Sequence, residues 1–167
     1  MQLSRSALAF VVDETHRAAE LHWRRHSALP MKVILLTAGQ APELVALPTG
    51  TTFAIAERMI AERAAELHAD AVVLTSLAMM TAPSVGVHAF GPLTLADLPQ
   101  PDDDPQHEDV LLTIACWPVG EVEVSRISVV ESGSTGARAL RQSIDAQPVK
   151  LSAAEGVLAW LTALLPR

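Results

Sequence analysis

The sequence predicts an α+β fold: a mixed sheet of about five strands, built from two antiparallel hairpins and one strand–helix–strand crossover, with helices packed on it. Three observations lead there. Short apolar runs rich in branched residues alternate with longer segments of helical periodicity. Two pairs of these runs are joined by loops short enough for hairpins. Half of the 167 residues are hydrophobic and 19% are charged, which supplies a core. That length matches one domain, so residues 1–167 are read as a single globular domain carrying a long Pro-rich loop at 82–106.

The first helix is placed over residues 13–26, with a start as early as Ser4, because Ala18, Ala19, Leu21 and His22 form a helical stripe. Pro30 closes the connection, and residues 31–37 are an apolar, branched strand. Gly39 and Pro42 mark a five-residue loop into a second strand at 43–47, which makes a hairpin. Candidate N-caps at Thr51 and Thr52 precede the clearest helix, where Phe53, Ala56, Ile60, Ala64 and Leu67 recur at helical spacing. Its other face carries Glu57, Arg58, Glu62, Arg63 and Glu66, the pattern of a solvated surface. A strand follows at 70–77, completing a strand–helix–strand unit in which a parallel pair is expected. Residues 82–106 hold Pro83, Pro92, Pro99, Pro101 and Pro105 without apolar period, a long loop suited to a lid or an excursion. Strands at 109–117 and 121–131 form the second hairpin, a short helix is expected over 137–144, and Ser152 with Glu155 makes a capping box before the apolar last helix.

The formal charge of −7 argues against a phosphate backbone as partner, since such binding comes from Lys and Arg displacing counterions. No apolar run approaches the roughly 20 residues that span a bilayer. A lone cysteine, Cys116, can form no internal disulfide, which suits the cytoplasm, and no export signal is read at 7–12 because Asp13 and Glu14 follow a short apolar run. The partners expected are therefore neither nucleic acid nor membrane.

His22 and His26 stand at i, i+4 and can face one ion from a helix, with His16 and Glu20 one or two turns earlier. Trp23-Arg24-Arg25 follows His22 where a zincin would carry Glu, so an ordinary polar face is the better reading. Asp102, Asp103, Asp104, His107, Glu108 and Asp109 offer oxygen ligands for Mg²⁺ or Ca²⁺. They lack the glycine of an EF-hand turn, and Pro101 and Pro105 keep the run extended, so a solvated loop is expected. The weak metal candidates are thus His22, His26, Asp102, Asp104 and His107. Cys116 has the apolar neighbours Ile114, Ala115 and Trp117, which raise a thiol pKa and mark a core residue. Residues 132–136 (Ser-Gly-Ser-Thr-Gly) lack the lysine of a P-loop and read as a turn. Arg126, inside a strand, should pair with a carboxylate or face an anion.

No nucleophile elbow, dinucleotide fingerprint, Cys-x-x-Cys or His-Glu-x-x-His is present, and no cofactor is expected. The last helix is expected to bury Ala154, Val157, Leu158, Leu161, Leu164 and Leu165 on one side and to present Gly156, Trp160 and Ala163 on another, a small-residue surface around one aromatic anchor. The expected function is a non-enzymatic binding or scaffold domain that self-associates, a homodimer first. The alternative is a small metal-dependent enzyme or hydrolase using the helix histidines and the acidic loop.

Overall fold

A computed structural model of the chain describes residues 3–48, 50–81, 107–116, 122–132, 138–142 and 164–165. The expected loop at 82–106, the expected turn at 132–136 apart from Ser132, and the last helix apart from Leu164 and Leu165 lie outside the described residues. The fold is α+β. Its elements are α1 (Arg5–His26), β1 (Lys32–Leu36), β2 (Glu43–Val45), α2 (Phe53–Leu67), β3 (Ala71–Thr81), β4 (His107–Cys116), β5 (Val122–Ser132) and β6 (Arg138–Gln142).

Helix α1 begins one residue after Ser4, whose side chain accepts a hydrogen bond from the Ala7 amide at 3.2 Å, so the cap sets the early start. Ser27 ends it with φ +53, in the left-handed region. Helix α2 is capped by Thr52 and closes on His68, also left-handed. The β1–β2 turn is fixed by Gly39 at φ +80 and by Asp70, whose Oδ2 accepts from the Ala38 amide at 2.7 Å.

The strands form one six-stranded sheet in the order β2-β1-β3-β4-β5-β6, and every ladder is antiparallel. Both expected hairpins are present, β1–β2 and β4–β5. The strand–helix–strand unit is β2–α2–β3, but the expected parallel pair is not a ladder. β2 and β3 run the same way with β1 between them, because β1 offers its two edges to both. The short helix expected over 137–144 is instead β6: residues 138–142 pair with β5, from Ser132 opposite Arg138 to Ser128 opposite Gln142. A five-residue segment satisfies few amides as a helix, whereas the open edge of β5 satisfies them in a ladder.

Both faces of the sheet are covered, which explains the unbroken apolar runs. Val33, Leu35, Val72, Leu74, Leu112, Ile114 and Cys116 pack on one face with Ile60 and Ala64 of α2 and with Leu164 and Leu165. On the other face, Leu8 and Val12 of α1 meet Leu36, Ala71, Val73 and Ala115, and Ala19 and Trp23 meet Leu111, Val130 and Leu140. Adjacent residues such as Val72 and Val73 therefore point to opposite faces and are both fully buried. No helix among the described residues is long and apolar enough to cross a membrane.

Candidate functional site

The buried stripe of α1 is Leu8, Val12, His16, Ala19, Glu20 and Trp23. His16 and Glu20 thus occupy positions that helical periodicity assigns to the core, and the strands beneath answer them with hydroxyls. Thr75 and Thr113 stand opposite one another on β3 and β4, and Ser128 lies on the same face of β5. All five side chains are buried.

They form a single chain of hydrogen bonds. His16 Nδ1 is 3.0 Å from Thr113 Oγ1, His16 Nε2 is 2.9 Å from Ser128 Oγ, Thr113 Oγ1 is 2.9 Å from Thr75 Oγ1, and Ser128 Oγ donates to Glu20 Oε1 at 2.5 Å. Proton counting orients it. Ser128 has one hydroxyl proton and gives it to Glu20, so its oxygen accepts from His16 Nε2–H. A neutral imidazole then accepts at Nδ1 from Thr113, whose oxygen accepts from Thr75. Donation runs one way, Thr75 to Thr113 to His16 to Ser128 to Glu20. The neutral form agrees with the lowered pKa of His16, caused first by burial and opposed by Glu20, with Arg126 lowering it and Asp13 raising it.

At the edge of this run, Arg126 Nε meets Asp13 Oδ1 at 2.7 Å, both side chains about half exposed, which meets the expectation that a strand arginine pairs with a carboxylate. Trp23 Nε1, one turn past Glu20, is the one buried side-chain polar atom among the described residues with no hydrogen-bond partner.

The arrangement differs from a nucleophilic triad. There the imidazole lies between hydroxyl and carboxylate and takes the hydroxyl proton, whereas here Ser128 lies between imidazole and carboxyl and its proton points to Glu20. Chemically, the run conducts polarisation across the core and holds α1 in one register on β3, β4 and β5, since a slide by one turn would strand its buried polar groups.

The rings of His22 and His26 lie 4.5 Å apart on α1, and among the described residues no group of three or more His, Cys, Asp or Glu is placed to hold a metal ion. The pKa of His22 is lowered by desolvation, then by His26 and Lys32. His107 opens β4 opposite Thr81, while Asp102 and Asp104 lie outside the described residues, as do Gly156, Trp160 and Ala163. Cys116 is fully buried in the core, as its neighbours imply. His16 and Glu20 are legible in sequence as helix neighbours, but their strand partners are not. The signal for them was a hydroxyl residue beside apolar neighbours in each strand: Thr75 after Val72-Val73-Leu74, Thr113 between Leu112 and Ile114, and Ser128 between Ile127 and Val129. No protein-family model, curated protein or solved structure matches the chain.

Proposed function

We propose that the chain is a non-enzymatic binding or scaffold domain that self-associates in the cytoplasm. The observation that carries this reading is the outer face of α1. Phe10 is 66% exposed and Leu21 49%, on the side of the helix opposite the buried stripe. Large apolar side chains left in water gain about 25 cal/mol for each Å² that a partner covers. The inner polar run supports binding over catalysis, because its hydroxyls and imidazole nitrogens are spent on one another. The net charge of −7 favours a protein partner over nucleic acid. The 4.5 Å approach of His22 and His26 supports the alternative, a metal-dependent enzyme, which needs further ligands from the acidic segment.

Light scattering across a concentration series tests the proposal. The wild type is expected at twice the 17.8 kDa chain mass. A wild type that stays at the mass of one chain at high concentration overturns it.

A further inference from the structure

We infer that the partner is a second copy of this chain laid antiparallel along the outer face of α1, an inference that rests on the self-association proposed above. Along that face, Ala7, Phe10, Glu14, Arg17, Leu21 and Arg24 follow one another at alternating spacings of three and four residues, the seam of a two-helix coil. The buried stripe through Leu8, Val12, Ala19 and Trp23 lies on the opposite side, so the seam points away from the sheet.

The order of the seam is self-complementary. Read from either end it runs small or basic, apolar, charged, charged, apolar. A two-fold axis between Thr15 and His16 sets residue i against residue 31 − i of the copy, which places Phe10 on the copy's Leu21 and Glu14 on its Arg17. Each contact then occurs twice, as an isologous interface requires. Charge selects the direction. In a parallel pair Glu14 would face Glu14 and Arg17 would face Arg17, whereas the antiparallel pair sets acid on base. Glu14 and Arg17 already pair within the helix at 2.6 Å, both well exposed, so the carboxylate and guanidinium are held on the outer surface where a copy can exchange partners with them. Ala18 and the half-buried Val11 flank the seam with small apolar surface. The stretch from Ala7 to Arg24 is about 27 Å of helix.

The experiment is carried out on the full chain. An Ala7→Cys, Arg24→Cys double variant leaves Phe10, Leu21 and the ion pair in place, and mild oxidation is expected to link position 7 of one copy to position 24 of the other. Neither single variant should link in that way, and Cys116 is fully buried and does not compete. Glu14→Lys is expected to weaken the dimer about tenfold, since two exposed opposite-charge contacts become like-charge ones, and adding Arg17→Glu is expected to restore it. Phe10→Glu should give a monomer that still folds, because the side chain is 66% exposed and contributes little to its own core, and its thermal transition should no longer depend on protein concentration. A dimer that forms no 7-to-24 link, ignores the charge exchange and is lost in Trp160→Ala overturns the α1 seam while keeping self-association. A chain that is monomeric throughout overturns both.

Discussion

Replacing Ser128 by Ala removes one oxygen from the middle of the buried polar run. His16 Nε2–H loses its acceptor and Glu20 loses its donor, both in side chains that are less than a tenth exposed. Each buried group left without a partner costs about 1–3 kcal/mol, which puts the double loss at about 2–6 kcal/mol before relaxation. Relaxation is available, because His16 Nε2 already lies 3.8 Å from Glu20 Oε1 and can close on it directly. The expected loss is therefore near the lower end, about 2–4 kcal/mol. Thr75→Val is the matched control. Thr75 stands at the donor end of the run, so its removal leaves Thr113 with one unused acceptor position and no orphaned proton, at a cost of about 1 kcal/mol. Urea unfolding followed by far-UV circular dichroism measures both, read from the midpoint at constant slope. Equal losses in the two variants would refute the one-way donor order, and a Ser128→Ala loss below about 1 kcal/mol would refute the claim that these bonds hold α1 on the sheet.

The remaining expectations follow from the same contacts. His16 is held below its ordinary 6.5, so below about that pH the unfolded chain binds the proton more readily than the folded one. Stability is then full above pH 6.5 and is lost as the pH falls towards the folded pKa; urea titrations at stepped pH should show this slope reduced in His16→Gln, and reduced further when His22→Gln is added, because the pKa of His22 is lowered as well. The pair Arg126–Asp13 is about half exposed, so a double-mutant cycle through Arg126→Met and Asp13→Asn should return no more than about 1 kcal/mol, and a coupling well above that would show a drier contact. Ile60→Ala empties a fully buried position between α2 and the sheet and should cost about 2–5 kcal/mol by the same assay; a loss under 1 kcal/mol would argue that α2 does not pack there. Elemental analysis of protein purified without a histidine tag is expected to find no stoichiometric zinc. Zinc near one per chain that vanishes in the His22→Ala, His26→Ala variant would promote the enzyme alternative.

What the sequence determined by itself is local. The cap at Ser4, the turn glycine at Gly39, the helical period from Ala56 to Ala64 and the branched run at Val72-Val73-Leu74 each act over a few residues, and each element formed where those signals stand. Only the tertiary structure decided the rest. Residues 138–142 became a strand because an open edge of β5 was there to receive them, a reason that lies on another element. β1 came to lie between β2 and β3 because pairing order depends on which edges meet, and local periodicity carries no record of that. The same holds for the polar run: His16 and Glu20 share a helix face through a spacing of four, but Thr113 and Ser128 are 97 and 112 residues from His16. A hydroxyl in an apolar strand announces that it needs a partner, and only the packing of α1 across β3, β4 and β5 says which one it finds.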